Sequence, residues 1–194
     1  MQKHPPLVLQ KYRFYGTIKK TIGDYMNFRK ATINDIDRIM QIFDGARKRI
    51  AALGIDQWQD GYPHEEIIKE DISRSRSYVG EVDGEIAATV MIMTDNEPTY
   101  DVIYNGKWAL GGEYLTIHRI ALDGALCGTG AAKKLMAFAE QQAIERGMKS
   151  IRVDTHEGNI PMRKNLEKNG YVYCGVIHLK NGDERVAYQK VVKI

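Results

Sequence analysis

Apolar residues recur along this chain at two periods, and the switches between them lay out an alternation of strands and helices. From Asn27 the run "NFRKAT" reads as a short strand. Thr32 then offers an N-cap hydroxyl before Ile36, Ile39, Met40, Phe43 and Ile50, which share one helical face, and Gly54 supplies the stop. After the loop "GIDQWQDGYP", Pro63 with Glu65 and Glu66 marks a second helix start. "SYVGEV" and "EIAATVMIM" flank Asp83-Gly84, the strongest short hairpin signal. An irregular stretch from Thr94 to Gly112 leads to the strand "EYLTIHRIAL" and a glycine turn. The turn opens a helix near Thr129 whose apolar stripe is Ala132, Leu135, Met136, Ala139 and Ala143, stopped by Gly147. The strand "SIRVDT" follows, then the helix "NIPMRKNLEKNG" with Pro161 in its first turn. "YVYCGVIHL" and "RVAYQKVV" close the chain as a hairpin around Asn181-Gly182.

Composition narrows the classes. The length of 194 residues suits one domain, and 43% apolar with 27% charged residues is an ordinary balance for a packed core. No run approaches the roughly 20 apolar residues of a membrane span, and "HPPLVLQKY" is too short for a signal-peptide core. Two cysteines, Cys127 and Cys174, imply neither a disulfide framework nor a metal cluster. A cytoplasmic protein with free thiols, without membrane or metal, is expected. The net charge of +3 divides unevenly: residues 1–25 carry five bases against one acid, a balance of +4, which leaves −1 for the rest. A basic leader on a nearly neutral body gives a nucleic-acid partner little support. Residues 1–26 read as a basic extension, with Met26 a candidate internal start, and residues 27–194 as the domain.

The glycine turn is the first candidate for chemistry. A strand ending at Leu122, followed by Gly128, Gly130 and two alanines at a helix mouth, presents free backbone N–H groups at a positive dipole end. Small residues let a phosphate reach them, and Lys133 and Lys134 add charge nearby. A tight structural turn fits the same residues. The Lys-Ser/Thr of a P-loop and the downstream acid of a dinucleotide fingerprint are both missing.

The context on both sides discriminates. "IHRIAL", "GTGAAKKLM" and "VDTHEGNIPMRKNLEKNGYVYCG" together resemble the GNAT superfamily of N-acetyltransferases, and the order of elements from Asn27 onward is similar to that fold throughout. The resemblance implies an α/β single-domain fold with a mixed, mostly antiparallel central sheet flanked by helices. It implies acetyl-coenzyme A as cosubstrate, its pyrophosphate bound by the turn Cys127, Gly128, Thr129, Gly130, Ala131 and Ala132. Cys127 departs from the family's Gln or Arg, whereas Gly130 and Ala132 keep the required small residues. Ile120, Ala121 and Leu122 would carry a bulge whose backbone pairs with the pantetheine arm and stabilises the oxyanion. Asn159 falls on the family's cofactor-contacting asparagine, a role compatible with capping the helix that Pro161 enters. The same resemblance points to a homodimer through the C-terminal strands.

Acetyl transfer needs a base, because an alkyl ammonium of pKa about 10.4 is neutral in roughly one molecule in a few thousand at pH 7. Without a bulge before Ile120, strand alternation sets Thr116, His118 and Ile120 on one face and Ile117, Arg119 and Ala121 on the other. His118 stands four residues before Leu122, similar to a histidine of arylalkylamine acetyltransferases. It is a candidate general base or a satisfied sheet histidine; Glu113 is a weaker base, and Arg119 reads as a structural ion-pair residue. Leu166 stands where the family often has a tyrosine acid, so Cys174, Tyr171, Tyr173 or water are the alternatives. His156 is unassigned. Trp58 and Tyr62 are candidate walls of the acceptor site, or anchors of a long connection, among the acids Asp56, Asp60, Glu65 and Glu66. Trp108 is a further candidate.

The reading expected from these features is an N-acetyltransferase acting on the primary amine of a small metabolite by direct attack in a ternary complex. A protein or peptide N-acetyltransferase and a non-catalytic acyl-coenzyme A binding module are the alternatives.

Overall fold

A computed structural model describes residues 26–193 of the chain. The basic balance of residues 1–25 lies outside the described residues.

Seven strands form one sheet: β1 (Asn27–Lys30), β2 (Ser77–Val82), β3 (Glu85–Met93), β4 (Leu115–Leu122), β5 (Ser150–Thr155), β6 (Val172–His178) and β7 (Glu184–Val191). Their order is β1-β2-β3-β4-β5-β7-β6, and every neighbouring pair is antiparallel except β4 with β5. Helices α1 (Ile36–Ala51) and α2 (Glu65–Ser73) precede β2, α3 (Ala131–Glu145) joins β4 to β5, and α4 (Ile160–Lys168) joins β5 to β6. This is the mixed, mostly antiparallel arrangement that the family resemblance implied.

Local chemistry sets most boundaries. Asp35 enters the first helical turn as an acceptor for both the amide and the hydroxyl of Thr32, at 2.7 and 3.0 Å. Arg29 pairs with the same carboxylate, and their hydrogen bond leads the causes that hold Asp35 at about 2. At Asp83-Gly84 both residues take positive φ, 53° and 81°, as a two-residue hairpin requires.

Two cores follow from the faces of the sheet. Ile39, Ile42, Phe43 and Ala46 of α1 pack with Ile68 of α2 on Val79, Ile86 and Ala121. Opposite, α3 buries Ala131, Leu135, Met136, Ala139 and Ala143 on Ala88, Val90, Ile92, Leu115, Ile117 and Ile151. The stripe therefore begins at Ala131, whereas Ala132 is only half-buried. The helix starts at Ala131, two residues later than Thr129, and the other four members of the stripe are buried as expected.

The segment between β3 and β4 is a cover for the β5-β7-β6 end of the sheet. Tyr100 and Tyr114 pack there with Ile177 and Ala187. Arg152 of β5 is sandwiched under it, its guanidinium carbon 4.1 Å from the Trp108 ring centre and 3.8 Å from that of Tyr114. Backbone crosses closely at Gly106, where a Cβ would stand 2.0 Å from the Cys174 carbonyl oxygen.

Candidate active site where two parallel strands part

β4 and β5 pair only at Leu115 with Ile151 and Thr116 with Arg152. Beyond that rung they diverge, and a cavity of about 610 Å³ opens between Ile117–Ile120 on one side and Val153–Thr155 on the other. Its remaining walls come from four places. The loop after α1 supplies Asp56, Trp58, Asp60 and Tyr62; the segment before β4 gives Glu97 and Thr99; α4 and its N-cap give Met162 and Asn159; and the β6–β7 turn with the start of β7 gives Leu179, Lys180, Asp183 and Arg185.

A bulge accompanies the divergence. Thr89 pairs with Ala121 and Met91 with His118, so Arg119 and Ile120 together face Val90. Arg119 takes a φ of 52°, and Ile120 joins Ile117 against the α3 core. The strict alternation expected for His118 and Ile120 is thereby overturned, because the extra residue moves Ile120 to the other face.

His118 stands before the bulge with its side chain 21% exposed. Its Nε2 lies 3.3 Å from Glu97 Oε2, and its Nδ1 lies 3.7 Å from Asp154 Oδ1. The Tyr100 hydroxyl donates to that same Asp154 oxygen at 2.7 Å, and the Trp108 indole donates to the Tyr100 carbonyl at 3.0 Å. The hydrogen bond with His118 lowers the Glu97 carboxyl to about 2 against the opposing effect of burial. Burial pushes the Tyr100 hydroxyl well above the ordinary phenol range, so it stays a donor. The arrangement is an imidazole between two carboxylates at a cavity wall.

Arg119 meets Asp71 of α2 at 3.1 Å, the ion pair expected of it. Trp58 and Tyr62 both line the cavity, and Trp58 also stacks edge-on with the core residue Phe43 at 5.6 Å between ring centres. Trp108 lies outside the cavity lining and holds down the cover over Arg152. Glu113 is exposed and also lies outside the lining. His156 accepts from the Gly158 amide at 2.9 Å and faces Asp56 at 3.6 Å.

The glycine turn continues from β4 outside the cavity. Asp123 caps a short 3-10 turn by accepting from the Ala125 amide at 2.9 Å. Burial alone would raise this carboxyl, but the Ala125 amide and Arg38 together hold it below the usual range. A second arginine of α1, Arg49, donates to the Leu122 carbonyl at 2.6 Å, so α1 fastens the start of the turn at two adjacent residues. Cys127 and Gly128 are exposed, and Gly130 caps α3 with a φ of 87°. Among the described residues no acceptor meets the amides of Ala131, Ala132 or Lys133, and a Cβ on Gly128 would find open space. Unpaired main-chain donors at the positive end of a 15-residue helix fit an anionic phosphate group.

Asn159 combines two contacts. Its Oδ1 accepts from the Met162 amide at 3.3 Å, capping α4, and its Nδ2 donates to Gln57 at 3.0 Å across the cavity. Leu166 is fully buried in the α3 core. Tyr171 and Cys174 are buried outside the cavity lining, and burial raises both groups.

The cavity thus brings together His118, Ile120, Asn159, Trp58 and Tyr62; Ala121, Leu122 and residues 127–132 lie outside its lining. Glu97, Asp154 and the β6–β7 turn were not identifiable from sequence. Glu97 sits in the irregular segment, and Asp154 in "VDT" signals a strand and nothing more.

A model of the acetyltransferase (GNAT) family matches residues 37–171, most of the chain, and the chain belongs to this family. Among solved structures it is similar to a GNAT-family acetyltransferase of Streptococcus agalactiae 2603. The two are 40% identical over 87% of this chain and 96% of that one, with a TM-score of 0.78. A GNAT-family acetyltransferase of Listeria monocytogenes 4b F2365 is 24% identical, covers 86% of this chain and 95% of that one, and has a TM-score of 0.66. The PaiA N-acetyltransferase of Thermoplasma acidophilum, solved in complex with coenzyme A, shares the fold at 16% identity and a TM-score of 0.63, covering 86% of this chain and 98% of that one. No curated protein matches the chain.

Proposed function

We propose that this GNAT-family protein transfers the acetyl group of acetyl-coenzyme A to the primary amine of a small metabolite, by direct attack with both substrates bound. The observation that carries this reading is the parting of β4 from β5, which sets an unpaired strand edge and the His118 cluster on one cavity. Acetyl-coenzyme A supplies an activated thioester carbonyl when bound.

In this reading, the turn Cys127, Gly128, Thr129, Gly130, Ala131 and Ala132 holds the pyrophosphate through the main-chain N–H groups of Gly128, Gly130, Ala131 and Ala132, while the amides of Cys127 and Thr129 close the turn on the Gly124 and Leu126 carbonyls. Lys133 and Lys134, both exposed, add charge at the same helix turn. Ile120, Ala121 and Leu122 receive the pantetheine arm along the free edge of β4 and offer main-chain donors to the carbonyl oxygen. Leu122 is steadied for this by the arginine on its carbonyl. Asn159 faces the same arm while capping α4.

His118 acts as general base for the incoming ammonium, with Glu97 and Asp154 orienting the ring and balancing the positive charge it acquires. Leu166 offers no proton to a departing thiolate, and the buried Tyr171 and Cys174 are outside the cavity lining, so no side chain is assigned as general acid. Trp58 and Tyr62 wall the acceptor, and Asp56 and Asp60 at the cavity edge attract a cationic amine. The loop holding Trp58 and the turn from Leu179 to Arg185 both contribute walls, which favours a small acceptor over a peptide lying in an open groove. Residues 27–194 are the catalytic domain in this reading and 1–26 its basic extension. Met26, at the boundary, is buried. We place the enzyme in the cytoplasm, where its cosubstrate is made.

The test is release of coenzyme A thiol from acetyl-coenzyme A across a panel of small primary amines and lysine-containing peptides. Turnover with small amines is expected. Turnover with peptides alone would transfer the activity to protein acceptors, and none with either would overturn the catalytic reading.

A further inference from the structure

Arg119 occupies the extra position of the β4 bulge, with its φ of 52° in a region that side-chain-bearing residues rarely adopt. Its side chain is 11% exposed and ends on Asp71, itself 6% exposed, with Nη1 3.1 Å from Oδ2. Its guanidinium carbon also lies 5.5 Å from the centre of the Tyr62 ring. Asp71 belongs to α2 and Tyr62 to the loop just before it, so one structural unit grips the bulge twice.

We propose that the contact of Arg119 with Asp71 and Tyr62 is a clamp that imposes the bulge, making Arg119 a positioning residue for the backbone of Ile120 and Ala121. The inference rests on the reading of that backbone as the acetyl-coenzyme A site. A strained backbone persists only where its surroundings over-determine it, and a buried ion pair does so because neither partner can retreat to water. Released, β4 regains two-residue alternation, and Ile120 leaves the α3 core for the face of His118. The clamp therefore decides which groups of β4 line the cavity.

Glycine separates backbone from side chain in the test. Arg119→Ala and Arg119→Gly both leave Asp71 without its partner, but only glycine takes the left-handed conformation freely. Calorimetric titration with acetyl-coenzyme A is expected to show binding weakened about tenfold in Arg119→Ala and within about threefold of the parent in Arg119→Gly. Equal affinities in the two variants would overturn the clamp, whether both are weak, as for a guanidinium that touches the ligand, or both unchanged. Backbone chemical shifts of Ile120 and Ala121 without ligand give a second readout, expected to move in Arg119→Ala and to stay near the parent in Arg119→Gly; equal shifts in both would overturn the clamp. Should Arg119→Ala fail to fold, Asp71→Asn keeps the shape and removes the charge. Its binding is expected to weaken about threefold with circular dichroism unchanged, and unchanged affinity would overturn the proposal. Failure of the parent protein to bind acetyl-coenzyme A would remove the cofactor reading alone, since the shifts still decide the clamp.

Discussion

The glycine turn and the His118 cluster, the two halves of the proposed site, are built in opposite ways. The turn draws its donors from consecutive main-chain groups, the amides of Ala131, Ala132 and Lys133, at the mouth of one helix. The cluster draws single side chains from three separated places, Glu97 before β4, His118 within it and Asp154 on β5. A site made of backbone requires only that side chains be small, and so leaves a local signature. One made of converging side chains is specified by the fold, through the cover that Trp108, Tyr114 and Arg152 hold against the sheet.

If the two regions divide the work, substitutions should separate affinity from turnover. The largest effect is expected at His118. His118→Ala should lower kcat by about 100-fold or more while leaving the Kd for acetyl-coenzyme A within about twofold, since a general base acts on the transition state. Thiol-release kinetics beside calorimetry check both values, and an unchanged kcat would remove His118 from the chemistry. Gly130→Asp attacks the other region. A side chain at a φ of 87°, bearing like charge toward a phosphate, should weaken acetyl-coenzyme A binding about 30-fold. Unchanged affinity would leave the turn a purely structural device.

Glu97→Gln sharpens the comparison on the side-chain half. It should lower kcat about tenfold by loosening the ring of His118. The pH dependence has a definite sign. The folded-state pKa of Glu97, lowered to about 2 from 4.5 chiefly by its hydrogen bond with His118, gives stability that is full above pH 4.5 and lost as pH falls through about 2. Urea unfolding should therefore show the parent more stable than Glu97→Gln at pH 6, with the gap closing toward pH 2. An equal gap at every pH would sever the link to His118. The smallest effect belongs to Cys127→Ser: the side chain is exposed in a turn whose donors are main-chain, so acetyl-coenzyme A affinity should stay within about twofold. A larger loss would give the thiol a role of its own.

Legibility in the sequence follows the same division. Periodicity and turn residues were enough for the order of elements, as at Asp83-Gly84, where both residues take the positive φ that the pair announces. In the helix after the glycine turn, the period picks out Leu135, Met136, Ala139 and Ala143 as buried, and only the first member of the stripe differs, Ala131 in place of Ala132, because the helix begins at Ala131 behind the left-handed Gly130. His118 was visible through its position in the strand. Glu97 and Asp154 were hidden: one lies in a stretch without periodicity, and the other faces His118 only because β4 and β5 part. The resemblance implied a bulge at Ile120 to Leu122, and the structure sets it one residue earlier, at Arg119 and Ile120, because the extra residue is fixed by pairing with β3 and by Asp71, 48 residues earlier, neither of which the local sequence shows.

The most direct measurement is a calorimetric titration of acetyl-coenzyme A into three proteins side by side: the parent, His118→Ala and Gly130→Asp. Division of the site into a main-chain binding half and a side-chain chemical half predicts equal binding by the parent and His118→Ala, with marked loss in Gly130→Asp. Absence of binding by the parent, or a loss in His118→Ala as large as in Gly130→Asp, would contradict it.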